Sequence, residues 1–263
     1  MTEAETTLTR AQRLKRIADD VLENGSMLVD DLAAALNVSR MTIHRDLDDL
    51  ERQGILRKVR NGATAQPSSV FESNITFRLA SAVEAKQRIG KFAATFIEPG
   101  QSIILDEATS LLPLVDELAS LGELTVLTNF MTIMKRLTDV ESIRLIALGG
   151  EYLRRFDTYT GVACEAAIRG LAANAYFTST SAIGAGAAFH PDPQITAIKR
   201  AMMRAASKRY LLADSTKFGR TALFKVADLD QFDKIIVDQP LSNEEADALP
   251  GLRDRIVVVP SNS

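Results

Sequence analysis

The segment from residue 38 to residue 47 reads VSRMTIHRDL, and its pattern decides the fold of the amino-terminal part of the chain. Ile43 and Leu47 stand four residues apart, which puts both on one face of a helix, and Ser39 stands where an N-cap belongs. The other faces of the first two turns carry side chains that can contact a ligand, namely Arg40, Met41, Thr42, His44 and Arg45. The segment therefore predicts a capped helix with a buried apolar face and an exposed, basic face.

The flanking sequence predicts two helices before this segment and a hairpin after it. Apolar residues at helical spacing predict a helix from about Thr9 to Glu23 and a second one along Val29 to Leu36. Ile55 to Val59 predicts a short strand, and Asn61-Gly62 predicts a two-residue hairpin turn that returns through Ala63 to Ala65. Three helices followed by a basic hairpin predict a winged helix-turn-helix domain over residues 1–65.

This order of helices and hairpin indicates binding to double-stranded DNA. A helix fits the major groove, where arginine pairs with guanine and methionine or threonine contacts the thymine methyl group, while basic hairpin residues meet phosphates. The expected DNA contacts are Ser39, Arg40, Met41, Thr42, His44, Arg45, Arg57, Lys58 and Arg60. The alternative is that Arg45 only pairs with Asp49, one helical turn later, and that the hairpin is a small interaction module.

Composition and charge narrow the class of protein. The chain has 263 residues and a formal net charge of −3, so DNA binding must rest on local charge rather than on a global field. One cysteine and two histidines argue against a disulfide framework and against a Cys/His metal site, and we expect no cofactor. Cys164 is expected to be a small core residue. The polar start shows no signal-peptide pattern, and no apolar run approaches the roughly 18 residues of a membrane span, which predicts a cytoplasmic protein.

A boundary and a helical segment precede the second part of the chain. Pro67 and two neighbouring serines predict a linker, and apolar spacing predicts a helix, continuous or broken, from about Glu72 to Phe96. The linker and this connecting helix are expected over residues 66–98.

From residue 99 to residue 263, short apolar runs alternate with longer helical or polar stretches. Runs that are apolar at successive positions are buried on both faces, as in a parallel sheet covered by helices. The expected strands are Ile103–Leu105, Thr125–Leu127, Arg144–Leu148, Ala175–Phe177, Tyr210–Ala213, Lys234–Val237 and Arg255–Val259. The second domain is therefore predicted to be a large parallel-sheet α/β domain.

Polar residues follow the ends of several of these strands. In open α/β sheets, ligands bind in the crevice outside the carboxyl ends of the strands, where helix N-termini offer N–H groups to an anion. A small, phosphorylated ligand fits hydroxyls, amides and a lysine at this edge. The expected ligand contacts are Asp106, Thr109, Ser110, Thr128, Asn129, Gly149, Gly150, Lys199, Asp214 and Lys217. The alternatives are that the aspartates only cap helices, that the glycines form a tight turn, and that Lys199 is solvated.

Both parts of the chain resemble one bacterial family. The stretches VDDLA (29–33), VSRMTIHRDL (38–47) and LERQGILRK (50–58) resemble the DNA-binding signature of DeoR-type repressors of sugar metabolism. The later part resembles the effector-sensing domain of that family, which is similar in fold to ribose-phosphate isomerase and glucosamine-phosphate deaminase. The matching stretches are EAK (84–86), ILD (104–106), LTN (127–129), LGG (148–150), KRAM (199–202) and LADSTKFG (212–219).

The resemblance implies a transcriptional repressor of a carbohydrate catabolic operon that a phosphorylated sugar or related metabolite releases from its operator. It also implies a homo-oligomer, at least a dimer, because two DNA-binding domains that occupy neighbouring operator half-sites together bind more tightly than one domain alone. An activator or a dual regulator remains open, since no residue distinguishes it from a repressor.

Three positions depart from the family pattern. The family usually has arginine where His44 stands and Gly-Gly where Asn61-Gly62 stands, and Asn61 is expected to tolerate the positive φ of the turn. Ala108 replaces a glycine in the loop after the first predicted strand of the sheet, and we expect it to restrict that loop.

The rival function is that of a phosphosugar isomerase or deaminase-like enzyme. Asp106, Glu107 and Lys217 could supply acid and base groups. Adjacent residues of a strand point to opposite faces, however, so Asp106 and Glu107 share a site only if the loop bends. His190 is the one histidine that could serve as a base in this part of the chain.

Overall fold

The computed structural model describes residues 8–64, 75–247, 249 and 251–260. It divides into two compact units, residues 1–81 and residues 82–263. The predicted linker around Pro67 lies outside the described residues.

Residues 8–64 of unit 1 form three helices and a small antiparallel sheet with the strand order β1-β3-β2. The elements are α1 (Arg10–Asn24), β1 (Ser26–Leu28), α2 (Val29–Ala35), α3 (Arg40–Arg52), β2 (Arg57–Val59) and β3 (Gly62–Thr64). Ser39 caps α3, since its Oγ accepts a hydrogen bond from the Thr42 amide at 3.1 Å. Ile17, Leu32 and Leu47, one from each helix, are fully buried in a shared apolar core. The predicted winged helix-turn-helix is confirmed, with β1 as an additional strand.

The hairpin turn lies one residue earlier than the sequence predicts. Val59 pairs with Gly62, so the two turn residues are Arg60 and Asn61, and the expectation of an Asn61-Gly62 turn is wrong. Asn61 does not adopt a positive φ. Gly62 is needed for another reason: a Cβ built there would lie 2.1 Å from the carbonyl oxygen of Met27 in β1. The glycine allows β1 and β3 to pair closely.

The predicted connecting helix is broken into two helices, α4 (Ile75–Ala80) and α5 (Val83–Ala93), followed by a 3₁₀ turn (Ala94–Phe96). Ala82 stands between them with a φ of 50° and a ψ of 42°. Because a residue in the left-handed region cannot continue a right-handed helix, α4 and α5 are separate helices. The two units divide at the same position, between Ser81 and Ala82.

Unit 2 is built on a parallel sheet of seven strands in the order β15-β14-β12-β9-β4-β5-β6. These strands are β4 (Ser102–Leu105), β5 (Leu124–Thr128), β6 (Ile143–Ala147), β9 (Ala173–Thr178), β12 (Ala206–Ala213), β14 (Lys234–Val237) and β15 (Ile256–Val258). Each overlaps a predicted strand, and every pairing among them is parallel. The carboxyl ends therefore lie along one edge, with β4 and β9 adjacent near its middle.

Smaller elements surround this sheet. The helices are α6 (Leu112–Glu117), α7 (Met131–Leu137), α8 (Gly161–Arg169), α9 (Pro193–Arg204) and α10 (Asn243–Asp247). Two antiparallel additions were not expected from the sequence: the hairpin of β7 (Glu151–Leu153) with β8 (Thr158–Thr160), and a sheet of β10 (Ala182–Gly184), β11 (Ala187–His190) and β13 (Phe224–Asp228). Among the described helices, none combines the length and apolar character needed to cross a membrane.

Candidate functional site

The outer face of α3 is the exposed surface of unit 1 that the sequence singled out. Ile43 and Leu47 are fully buried, whereas Arg45 and Met41 are exposed, Met41 to 63%. An exposed methionine on a helix otherwise rich in polar side chains is suited to a methyl contact. Thr42 and His44 lie half-buried beside them.

Ion pairs fix the inner side of α3 but leave Arg45 out. Arg13 of α1 donates to the buried carboxylate of Asp46 at 2.6 Å, and this contact raises the pKa of Arg13. Asp49 is held by Arg10 and Arg52 instead of Arg45. The alternative in which Arg45 merely pairs with Asp49 is therefore wrong, because Arg45 has no ion pair with any residue that the structure describes.

The other basic residues predicted to contact DNA fall into two groups. Arg57 and Arg60 are exposed and have no ion pair within the described ranges. Arg40 pairs with Asp30 at 2.9 Å and Lys58 with Asp48 at 2.5 Å. Exposed pairs of this kind contribute about 0–1 kcal/mol, so a phosphate can displace the carboxylate.

At the carboxyl edge of the parallel sheet in unit 2, a lysine is buried between two carboxylates. Lys199 Nζ lies 2.7 Å from Asp106 Oδ2 and 3.0 Å from Glu107 Oε1, and it donates to the Ser179 carbonyl oxygen at 3.0 Å. The three ionic side chains are at most 1% exposed. Tyr176 and Thr178 each donate a hydroxyl hydrogen bond to Asp106 Oδ2 at 2.5 Å. These residues form the buried ionic cluster.

Burial and charge act against each other within this cluster. Burial lowers the pKa of the Lys199 ammonium group, but the two carboxylates outweigh it and the pKa is raised. Burial raises the pKa of Asp106, with the neighbouring Glu107 charge adding to it and Lys199 opposing it. The pKa of Tyr176 lies well above its ordinary value because the phenol is buried against Asp106, so it stays protonated and can donate.

A second lysine reaches the same serine from a more open position. Lys217 Nζ lies 2.8 Å from Ser179 Oγ and 3.8 Å from Asp214 Oδ2, and its side chain is 16% exposed. Burial raises the pKa of Asp214, but Lys217, a hydrogen bond from Thr216 and the more distant Lys86 together hold that pKa below its ordinary value. Ser179 is thus contacted by two ammonium groups, through its carbonyl and through its hydroxyl.

Asn129 offers a polar atom with no partner at the end of β5. Its amide Nδ2 donates to the Tyr159 carbonyl oxygen at 2.8 Å, whereas its buried Oδ1 accepts no hydrogen bond from the described residues. The Thr128 hydroxyl, by contrast, accepts from the Phe130 amide at 3.1 Å. An unmatched buried acceptor costs about 1–3 kcal/mol unless a ligand supplies a donor.

The family is shown by comparison with known proteins. The model described as DeoR-like helix-turn-helix domain matches residues 13–69, and the model described as DeoR C terminal sensor domain matches residues 81–239. The HTH-type transcriptional regulator YgbI of Escherichia coli (strain K12) is 33% identical over 90% of this chain and 93% of its own length. The chain belongs to the DeoR family. It is a transcriptional regulator with a DNA-binding domain and a sensor domain.

A second relative and one solved structure are also similar to this chain. The lactose phosphotransferase system repressor of Staphylococcus aureus (strain NCTC 8325 / PS 47) is 26% identical to this DeoR-family protein over 88% of this chain and 93% of its own. The solved structure of ribose 5-phosphate isomerase A from Methanocaldococcus jannaschii covers 52% of this chain and 55% of its own, with 14% identity and a TM-score of 0.39.

The sensor domain brings together some of the predicted ligand residues and separates others. Asp106 and Lys199 meet directly, and Asp214 and Lys217 meet beside Ser179. Thr109, Ser110 and Thr128 are buried at the ends of β4 and β5, while Gly149 and Gly150 are exposed after β6. A Cβ at Gly150 would lie 2.4 Å from the Thr160 carbonyl oxygen, so this glycine permits a close approach to β8.

The alternative in which Lys199 is solvated is wrong, because its side chain is 1% exposed. Asp106 and Glu107 do not diverge, because β4 ends at Leu105 and the loop bends so that both carboxylates contact Lys199. Ala108 does not restrict the loop unusually, since its φ of −75° and ψ of 124° suit any residue.

The predicted ligand contacts lack Glu107, Tyr176 and Ser179, and Glu107 is predicted only as an acid or base group of the rival enzyme. Lys199 contacts Glu107 and Ser179, and the Tyr176 hydroxyl contacts Asp106, each across 20 or more residues of the chain, which no local pattern reports. Cys164 is buried as expected, and burial raises the pKa of its thiol to about 11. Arg155 pairs with Asp192, the N-cap of α9.

Proposed function

We propose that this DeoR-family protein represses a carbohydrate catabolic operon and that a small phosphorylated sugar or a related anionic metabolite releases it from its operator. The similarity to the lactose phosphotransferase system repressor of Staphylococcus aureus supports both repression and a link to carbohydrate. Since its target is chromosomal DNA, we propose that the protein works in the cytoplasm.

In the DNA-bound form, α3 enters the major groove. Arg45 and Met41 read base edges, with Thr42 and His44 beside them. Ser39 and Arg40 at the start of α3 approach a phosphate, where free backbone N–H groups also point. Arg57, Lys58 and Arg60 of the hairpin contact the phosphate backbone.

The single observation that carries the effector site is the pair of ammonium groups on Ser179. Lys199 is buried and held by carboxylates at 2.7 and 3.0 Å, whereas Lys217 is partly exposed, donates to the neutral Ser179 hydroxyl at 2.8 Å and has the Asp214 carboxylate farther away, at 3.8 Å. A phosphate oxygen competes well with a neutral hydroxyl for an ammonium group, because charge-assisted hydrogen bonds are about twice as strong. Lys217 is therefore the proposed phosphate ligand, and Lys199 and Asp106 position Ser179 beneath it.

Asn129 is the proposed partner of a sugar hydroxyl. Its buried Oδ1 needs a donor, which a sugar hydroxyl supplies and a phosphate dianion does not. Thr109, Ser110, Thr128, Gly149, Gly150 and Asp214 complete the proposed set around the ligand.

Release requires two states of a dimer or a higher oligomer. The effector must bind more tightly to the state in which the two DNA-binding domains no longer match the operator half-sites. A ligand with equal affinity for both states does not shift the equilibrium between them.

We also infer that the sensor domain does not catalyse a phosphosugar reaction. A general acid or base must come within hydrogen-bonding reach of the substrate. Asp106, Glu107 and Lys199 are instead buried and joined to one another.

The test is retardation of DNA fragments from the protein's own promoter region at low ionic strength, followed by addition of phosphorylated sugars chosen by a thermal-shift screen. One phosphosugar should stabilise the protein and release the DNA. Lys217→Ala should keep DNA binding and lose the response, whereas Lys135→Ala, an exposed lysine of α7, should keep both. Failure to bind any promoter fragment would refute the regulator, and a normal response in Lys217→Ala would move the phosphate site elsewhere.

A further inference from the structure

A cleft lined by basic side chains lies away from the carboxyl edge of the sensor sheet. It has a volume of about 390 Å³. Arg204, the last residue of α9, lies two residues before β12 begins, and Gln231 lies shortly before β14, so the cleft is at the amino ends of these parallel strands. Lys217 follows the carboxyl end of β12. The cleft is therefore separate from the proposed effector site.

The charge of this cleft opposes that of the chain. Its walls carry four basic side chains, Arg200, Arg204, Arg209 and Lys225, and among the described residues that line it Asp228 is the one acid. The whole chain has a net charge of −3, yet the cleft has an excess of three positive charges. Lys225 and Asp228 pair at 2.5 Å, so the excess resides in the three arginines.

Two of these arginines are anchored without being neutralised. Arg200 donates to the carbonyl oxygens of Val226, at 3.3 Å, and Lys225. Arg209 donates to the carbonyl oxygens of Met203, at 2.8 Å, and Gln231, at 3.4 Å. Carbonyl groups fix the orientation of a guanidinium group but leave its full charge, so both are held ready for an anion.

The third arginine, Arg204, is exposed, and its side chain makes no hydrogen bond or ion pair with the residues that the structure describes. A cation at a helix carboxyl terminus is ordinary, because it interacts favourably with the helix dipole. The dipole of α9 explains one such cation. It does not explain why Arg209 of β12 and Arg200, a full turn earlier, line the same cleft.

The size and charge of the cleft identify the class of ligand. Guanidinium groups bind phosphate oxygens through paired N–H groups. A phosphate monoester carries about −1.5 to −2 charges at pH 7, so two phosphates balance an excess of three. A cleft of this volume holds a small molecule, and Met203 adds an apolar wall for its organic part. We propose that the cleft is a second ligand site, which binds a small metabolite with a diphosphate or two phosphate groups.

The experiment uses inorganic pyrophosphate and the full chain in isothermal titration calorimetry at low ionic strength. Wild-type protein should bind pyrophosphate, and Arg204→Gln should weaken binding by at least about tenfold, as expected for lost hydrogen bonds to a charged group. Arg169→Gln is the matched control, because Arg169 is the exposed last residue of α8 and lies outside the cleft. It should bind as wild type. In the Lys217→Ala background, which removes the proposed effector-site cation, pyrophosphate should still bind, and Arg204→Gln should still weaken that binding.

Three results would overturn the proposal. The first is the absence of pyrophosphate binding by the wild type. The second is equal binding by Arg204→Gln, with thermal unfolding confirming that this exposed substitution leaves the fold intact. The third is loss of binding in Lys217→Ala, which would assign the pyrophosphate to the carboxyl edge. A glutamate-rich peptide that binds in an Arg204-dependent way while pyrophosphate does not would show a protein-docking surface instead. The pyrophosphate titration does not depend on operator binding, so it can fail while the proposed repressor function holds.

Discussion

Arg45 is the residue of α3 whose role the structure sharpens most, because its expected intrahelical partner Asp49 is occupied by Arg10 and Arg52. Replacing Arg45 with alanine should weaken operator binding by roughly 1–3 kcal/mol and relax specificity at one base pair, the effect of losing a bidentate base contact. Retardation assays with single-base operator variants measure both. Lys15→Ala, in an exposed pair with Asp19 on α1, should change neither. Unchanged specificity in Arg45→Ala would mean that this side chain does not read a base.

Lys199 neutralises the buried carboxylates of Asp106 and Glu107. Lys199→Met should lower the free energy of unfolding by roughly 3–5 kcal/mol, because it leaves Asp106 and Glu107 buried without their cation. Urea unfolding of the variant measures the loss. The exposed Lys135→Met should stay within about 0.5 kcal/mol of wild type. A comparably small effect at Lys199 would show that the carboxylates are protonated or solvated.

Asp214 should make stability depend on pH in the acid range. Its pKa is lowered in the folded state, so its contribution is present above the unfolded pKa of about 3.9 and is lost as pH falls through the folded value. Between about pH 5 and pH 2, the unfolding free energy of Asp214→Asn should therefore fall less steeply than that of wild type. Asp106, whose pKa is raised, contributes with the opposite sign, so the difference between the two proteins is the quantity to measure. Identical slopes would contradict the shift.

The pairing of strands β1 and β3 depends on Gly62. Gly62→Ala would bring a Cβ to 2.1 Å from the Met27 carbonyl oxygen, so the strands must separate. We expect a loss of roughly 1–3 kcal/mol in the stability of the DNA-binding domain and weaker operator binding, measured by thermal unfolding and retardation. Gly170→Ala is the control, because its φ is −86° and its Cβ would meet nothing within 4 Å. A fully stable Gly62→Ala would mean that β1 shifts without cost.

Elements with a strong periodic signal could be predicted from sequence, and elements defined by partners far along the chain could not. Each of the seven parallel strands contains a short apolar run, and α3 has a cap and an apolar face, so all were found. The hairpin was found but its turn was assigned one residue late, because Gly62 serves a neighbouring strand and not a positive φ. Strands β7 and β8 were missed because each has three residues and half-polar composition.

We expect the DNA-binding domains of two protomers to bind one operator together. An operator with one half-site destroyed should bind the protein roughly 100-fold or more weakly than the intact operator. The reason is that the second DNA-binding domain then has no specific half-site close to it. Retardation with matched fragments measures this ratio, and a fragment with both half-sites scrambled gives the background. Equal affinity for one and two half-sites would indicate that a single head accounts for binding.

The hydroxyl and the carbonyl of Ser179 divide the sensor into a stiff part and an adjustable part. The carbonyl oxygen accepts a hydrogen bond from Lys199, which is itself held by Asp106 and Glu107. This side of Ser179 therefore moves only if those buried ion pairs break. The hydroxyl donates to the Leu212 carbonyl oxygen at 2.5 Å and so stays in place, whereas Lys217, which contacts it from a partly exposed position, can exchange this neutral partner for an incoming anion. A ligand therefore perturbs the domain most easily through the side chain of Lys217, and the buried ion pairs of Lys199 keep the rest of the site in position.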